Sequence, residues 1–552
     1  MIFFRHRALF SVLLLLAAGC ATATRPSPAP DYDLRIVNGR IIDGTGSPVF
    51  RADVGIRGDR IVAIGNLSAS TSSRTIDAGG NVVSPGFIDL LGQSQTSVLF
   101  DPKLEGKVRQ GVTTEVTGEG FSPGPISEAD EAERKEENPG RPVWRTLGDY
   151  FRVVEKQGTA INFAFFVGAS NPRTMVMGRV NREATEAEMQ EMEGIVAQAM
   201  QEGAIGLSTS LIYIPAAFST TEEIIRLARV ARRYGGVYFS HLRSEDDEIV
   251  PALEEAFRIG RDASIPVNIW HLKTSGRANW GRMPEVISRI VAARESGLDV
   301  AANVYPYAAS STNLAILVPT WSLEGGYSAL RTRLQDPEQR PKIHDALRDE
   351  LIKRGEGGVL VTRIENPEFN QYERKTVDQI AAMLNLSPAE ATLKLYESTT
   401  TAPQAIFFSM REDDMKYALR QPWVSVGADS GSVVGEGRKA GAHPRAYGTF
   451  PRVIGRYVRE DKLFTLEEAI RKITSQAAAR VNLWDRGILR PGMKADLVVF
   501  DPLTVNDLST YEDPHQFSTG ISEVIVNGTP VLLGGTMTGQ LPGRILRNQQ
   551  SK

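Results

Sequence analysis

The chain has 552 residues, of which 41% are hydrophobic and 23% charged, with a formal net charge of −3. These are the proportions of a globular protein long enough for more than one domain, and the charge balance gives a nucleic-acid partner no electrostatic footing. The only cysteine, Cys20, excludes a disulfide framework and leaves the folded part without a thiolate metal ligand.

The first segment, "MIFFRHRALFSVLLLLAAGC", has a basic start, an apolar run too short to span a bilayer with ease, and small residues before Cys20. This is the layout of a secretory signal over residues 1–19, and "LAAGC" resembles a bacterial lipobox. That resemblance implies cleavage before Cys20, lipidation of its sulfur and a lipidated, Pro-rich tether over residues 20–32. With Ala21 after the cysteine, it also implies a periplasm-facing lipoprotein of the bacterial cell envelope, sorted to the outer membrane. Contact with the membrane is then expected through the N-terminal lipid only.

From residue 33 short apolar alternations broken by Asn-Gly and Gly-Asp turns predict strands. The same grammar returns in "GILRPGMKADLVVFDP" and "ISEVIVNGTPVLLGG". Residues 33–80 and 485–545 are therefore expected to form one composite β-sandwich. Between them, residues 81–484 alternate apolar runs with amphipathic segments. The runs "NVVSPGFIDL", "VTTEVTG", "INFAFFVGAS", "AIGLSTS", "GVYFSH", "PVNIWH", "LDVAANVYPY" and "WVSVGADS" are eight candidate strands. Eight strands with intervening helices predict an α/β fold, a (β/α)8 TIM-type barrel. The long connection 312–420 reads as an inserted subdomain over the barrel mouth, because connections of that length are usually functional.

In such a barrel the chemistry sits where strands end. "VYFSH" ends in His241, "VNIWH" in His271, "VSVGAD" in Asp429 and "TTEVTGE" in Glu119. Two imidazoles and two carboxylates at four strand ends could converge on one zinc-sized ion and its water. Only six histidines occur in the chain, and two of them close consecutive strands, which argues against coincidence. Glu115 lies on the same strand as Glu119 but deeper, where an uncompensated carboxylate is costly, and is left out of the candidate site.

At these residues the sequence resembles the amidohydrolase superfamily and, within it, the D-aminoacylase (N-acyl-D-amino-acid deacylase) family. The resemblance runs over nearly the whole chain. It includes "VSPGFID", "QGVTTEVTG", "GLSTSLIYIPAAFSTTEE", "SHLRSE", "HLKTSG", "YPYAASST", "VGADSG", "HPRAYGTFPRV" and "LRPGMKADLVVFDP". It implies zinc held by His241 and His271 together with a cysteine after the second strand. It also implies a weaker second site built from a His-x-His pair and Asp429.

This chain departs from the pattern. Leu91 and Gln93 stand where the His-x-His pair belongs, Gly120 stands where the cysteine belongs, and Ala169 replaces a third-strand histidine. The expectation is therefore one Zn2+ per chain held by Glu119, His241 and His271, with the Glu119 carboxylate in place of the thiolate. Asp429 would be the general base and then acid. Arg243, Lys273 and Arg445 are cations suited to a substrate α-carboxylate. By resemblance, Tyr213, Lys273, Tyr305 and Ser311 lie near the substrate, and Arg445 matches a basic residue of its loop. The expected reaction is hydrolysis of a linear amide in an N-acyl-D-amino acid or a dipeptide with a C-terminal D-residue. The alternatives are a catalytically inactive binding lipoprotein on the same fold, or a cyclic-amide hydrolase, which the missing histidine pair disfavours.

Overall fold

The computed structural model describes residues 29–137, 140, 142–433 and 442–548. The expected signal, Cys20 and most of the tether lie outside the described residues. No helix among the described residues is long and apolar enough to cross a membrane.

The eight expected barrel strands form, in order β1 (Phe87–Asp89), β2 (Val112–Thr117), β3 (Asn162–Phe165, continued by Val167–Gly168), β4 (Gly206–Ser210), β5 (Val237–His241), β6 (Val267–Ile269), β7 (Val300–Val304) and β8 (Val424–Val426). Successive strands pair in parallel from β1 through β3 and from the end of β3 through β8. The ring closes just beyond the strands, where Gly92 bridges Ser430 and the Asp429 N–H donates to the Leu91 carbonyl at 2.7 Å. Flanking helices start where threonine caps dictate. Thr185 and Glu188 form a reciprocal capping box ahead of Glu186–Glu202, and Thr220 caps Thr221–Arg233.

Side chains alternate across each strand, so Tyr238 joins the outer core against the helices while Phe239 and His241 share the inner face. Inside the barrel Phe166, Phe239 and fully buried Trp270 pack as an aromatic floor, with ring centroids 4.7–5.5 Å apart. The Trp270 indole N–H donates to the Leu90 carbonyl at 3.1 Å, which satisfies its one polar group. His271 follows directly in the chain, so the floor fixes its height.

The two chain ends meet in one nine-stranded sheet. Tyr32–Ile41, Phe50–Arg57, Arg60–Gly65, Ser72–Asp77 and Val82–Pro85 come from the N-terminal side. Leu497–Phe500, Ile521–Val526, Thr529–Leu533 and Thr536–Met537 come from the C-terminal side. The seam is the antiparallel pairing of Val82–Pro85 with Leu497–Phe500. The N-terminal share of this sheet therefore runs to residue 85, past the expected boundary at residue 80.

Between β7 and β8 the insertion carries its own four-stranded sheet, in the order Ser310–Asn313, Gln404–Phe407, Val359–Arg363, Lys375–Thr376. Its core is separate, built around Leu314, Leu330, Ile343, Leu347, Ile380 and Tyr396. Residues of this unit roof the barrel mouth.

Candidate active site

Three strand ends bring their polar side chains to one point. His241 Nδ1 and His271 Nε2 each lie 2.9 Å from the same Glu119 oxygen, Oε1. Ligand atoms of these three residues all fall within 4.8 Å of one another, and they are the one such group among the described residues that could hold a metal ion. His241 and His271 are buried, and their rings meet edge to face at 4.3 Å. Burial alone would raise the Glu119 carboxyl, but the two imidazoles hold it well below the usual carboxylate range. His271 sits at φ +35° and Asp429 at φ +51°, a left-handed backbone that non-glycine residues adopt rarely and that concentrates at functional positions.

Glu245, from the loop after β5, is a site residue that the sequence did not single out. Its Oε1 lies 2.9 Å from His271 Nδ1 and accepts from Lys273 Nζ at 2.5 Å. Its Oε2 lies 3.6 Å from His241 Nε2. Burial opposes its ionisation, and Lys273, His241 and His271 together overcome that and keep it an anion. Burial and the Lys273 ammonium depress His271, yet the carboxylates of Glu245, Asp429 and Glu119 outweigh them and push it up to about 9. Were a metal bound, His271 would give up its Nε2 proton, and Glu245 accepting from Nδ1–H would orient the ring, as carboxylates do for histidine ligands in metal sites. The signal was present in "SHLRSE", where Glu245 lies four residues after His241, but nothing in the sequence says that the loop turns back.

Asp429 stands beside this group. Its Oδ2 pairs with Arg445 Nη1 at 2.7 Å, and its Oδ1 accepts from Gln93 Nε2 at 3.0 Å. Burial raises its carboxyl above the ordinary value against the opposing pull of Arg445 and His271. Under it lies a fully buried ion cluster. Lys107 Nζ reaches Asp89 Oδ2 at 2.7 Å, Glu115 Oε2 at 3.4 Å and the Ser430 carbonyl at 2.6 Å. Glu115, set aside as too deep, is thus compensated, and also accepts from the Ser94 N–H and hydroxyl at 2.7 Å each. Asp89 accepts from the N–H groups of Leu91 and Ala428, which pins both chains flanking the site.

A cavity of about 760 Å³ opens over these groups, bounded by the barrel mouth and the insertion. Tyr213, Lys273 and Ser311 line it together with Glu119, His241 and Asp429. The Tyr213 hydroxyl is 2.8 Å from Thr312 Oγ1. Arg445 and Tyr305 stand behind that wall, the guanidinium lying 4.6 Å over the phenol ring. Arg243 is a correction. Its guanidinium is committed to Glu255 at 2.8–2.9 Å and to the carbonyls of Ala217 and Ser219, so it braces the loop after β4 and is not directed at a substrate. His443 accepts from the Arg445 N–H and donates to the Ala309 carbonyl, which fixes the Arg445 loop.

The donor set suits a divalent metal, because two imidazole nitrogens and a carboxylate oxygen, the donor types zinc takes, face each other at one point. Comparison with known proteins agrees with this geometry. Residues 331–532 match the model of an amidohydrolase family. A D-aminoacylase of Alcaligenes xylosoxydans xylosoxydans is 37% identical over 94% of this chain and 98% of its own. The crystal structure of an N-acyl-D-glutamate deacylase from Bordetella bronchiseptica was solved with zinc and a phosphonate mimic of the tetrahedral intermediate. It superposes with a TM-score of 0.79 at 34% identity, covering 94% of this chain and 99% of that one. A D-aminoacylase with a binuclear metal centre, activated by one metal and attenuated by the second, gives 0.79 at 38% identity, covering 94% and 100%. Full-length likeness in sequence and in fold, on a barrel that gathers two histidines and a carboxylate at its mouth, places the chain in the D-aminoacylase family of amidohydrolases.

Proposed function

We propose that the protein hydrolyses the linear amide of an N-acyl-D-amino acid, or of a dipeptide with a C-terminal D-residue, with one zinc ion held by Glu119, His241 and His271. The observation that carries this is the meeting of His241 Nδ1 and His271 Nε2 on one Glu119 oxygen beside Asp429, inside a cavity of substrate size. Zinc at such a site acidifies water and polarises a carbonyl oxygen.

The chain's own groups do the rest. Asp429 takes a proton from the attacking water as its oxygen bonds to the acyl carbon, then returns that proton to the nitrogen as the C–N bond breaks. Arg445 and Gln93 fix the two Asp429 oxygens, so the carboxylate needs no reorganisation between the two transfers. Lys273 is the cation on this stretch of the cavity wall and suits a free α-carboxylate, while Tyr213 and Ser311 line the acyl side. Glu245 orients His271, and Tyr305 seats Arg445. The expected Cys20 lipid would tether this catalytic body to the periplasmic face of the outer membrane. Radiolabelled fatty acid should enter the wild-type protein and not Cys20→Ala.

The test is metal analysis coupled to turnover of a panel of N-acetyl-D-amino acids, their L-enantiomers and D-containing dipeptides. About one zinc per chain, lost in His241→Ala and His271→Ala, with D-selective hydrolysis abolished by Asp429→Asn, is expected. Equal turnover by wild type and Asp429→Asn would remove Asp429 from the mechanism. A zinc-free wild type with no turnover would favour a binding lipoprotein.

A further inference from the structure

We infer that the Gln93 carboxamide occupies the role of a second cation, bridging the two catalytic carboxylates and keeping another metal out. This rests on the one-metal reading above and adds a residue to it. Gln93 Nε2 lies 3.0 Å from Glu119 Oε2 and 3.0 Å from Asp429 Oδ1. The other oxygens are already engaged, Glu119 Oε1 by His241 and His271 and Asp429 Oδ2 by Arg445. One NH2 group thus serves the two remaining anionic oxygens, one hydrogen to each.

Two carboxylates facing one small space repel unless something positive lies between them. In the D-aminoacylase with a binuclear centre, a second metal attenuates activity. Here the space between Glu119 and Asp429 holds an amide nitrogen. Its hydrogens carry partial positive charge, while its lone pair is delocalised into the carbonyl and is a poor metal donor. Leu91, two residues earlier, is fully buried and offers no donor atom. The amide therefore holds the carboxylates in register without adding a metal that could be gained or lost. Gln93 is a positioning residue acting through Glu119 and Asp429. It is exposed toward the cavity, so replacing it leaves the core intact.

Apo-protein is dialysed to equilibrium against rising zinc, bound metal is counted, and hydrolysis and thermal melting are followed in parallel for wild type, Gln93→Glu and Gln93→Ala. Wild type should saturate at one equivalent, with a rate that stays flat as zinc rises. Gln93→Glu, with a third carboxylate at the same place and size, should take up a second equivalent. Gln93→Ala should melt like wild type yet bind its first zinc about 10–100-fold more weakly, the usual effect of removing a group that orients ligands. A wild type that fills two sites overturns the inference. So do Gln93 variants that bind one zinc with wild-type affinity, and in that case the one-metal hydrolase stands. A wild type that binds no metal removes that reading and this inference with it.

Discussion

Replacing Lys107 by Met leaves a cavity-free core on volume grounds but strands two carboxylates. The side chains of Lys107, Asp89 and Glu115 are all 0% exposed, and the ammonium makes two short contacts, to Asp89 Oδ2 and the Ser430 carbonyl, with Glu115 farther off at 3.4 Å. Hydrogen bonds to a charged group contribute about 1.5–3 kcal/mol each, and breaking a buried ion pair on one side costs about 3–5 kcal/mol because the abandoned charge has no water to turn to. The two figures describe the same loss, so the expected destabilisation is about 3–5 kcal/mol. For a cooperative unit of this size the unfolding entropy is about 1 kcal/mol per kelvin, so the melting temperature should fall by roughly 3–5 °C. Calorimetry at one fixed scan rate is the assay, since large proteins often unfold irreversibly. The triple variant Lys107→Met, Asp89→Asn, Glu115→Gln removes every charge and should regain most of the loss. Because Lys107 also holds the carbonyl next to Asp429, the single variant should lose turnover as well. A melting temperature within about 1 °C of wild type, or a triple variant no better than the single one, refutes the reasoning.

Glu245→Gln keeps the shape but loses the anion beside His271, and zinc affinity should weaken about 10–100-fold in a competitive chelator titration. Arg243→Ala should lower the melting temperature while leaving KM unchanged, because the guanidinium braces Glu255 and two loop carbonyls. Asp59 ties the two chain ends together through Lys494 and Arg544, which outweigh partial burial and lower its carboxyl to about 2. A depressed carboxylate stabilises above its unfolded value of 3.8 and loses that contribution as pH falls through about 2. Asp59→Asn should therefore be about 1 kcal/mol less stable at neutral pH and indistinguishable from wild type in strong acid, as read by melting curves against pH.

The barrel was legible because each strand is a short apolar run closed by a polar residue, and that grammar depends on local periodicity alone. His241, His271, Glu119 and Asp429 could be read for the same reason, as they terminate strands. What stayed hidden depends on how loops return. Glu245 is four residues past β5, and only the turn after His241 brings it back against His271. Gln93 looked like the mark of a lost ligand, and its contacts with Glu119 just past β2 and Asp429 just past β8 exist only in three dimensions. Arg243 failed in the opposite way. It neighbours the site in sequence, but the strand ends at His241, and the loop that follows turns the Arg243 side chain away to Glu255 and the carbonyls of Ala217 and Ser219. Lys107 and Glu115 were masked by the rule that charges avoid cores, which holds for single charges and not for a matched cluster.

The seam between Val82–Pro85 and Leu497–Phe500 has a bearing on how the molecule is made. The segment that feeds the first barrel strand cannot find its neighbour until almost all of the polypeptide has emerged. Until then an apolar ribbon edge stands open beside a half-built ring, a template for pairing with other chains. A product cut short before the last strands arrive would leave that edge unpaired and is expected to aggregate rather than work at reduced rate.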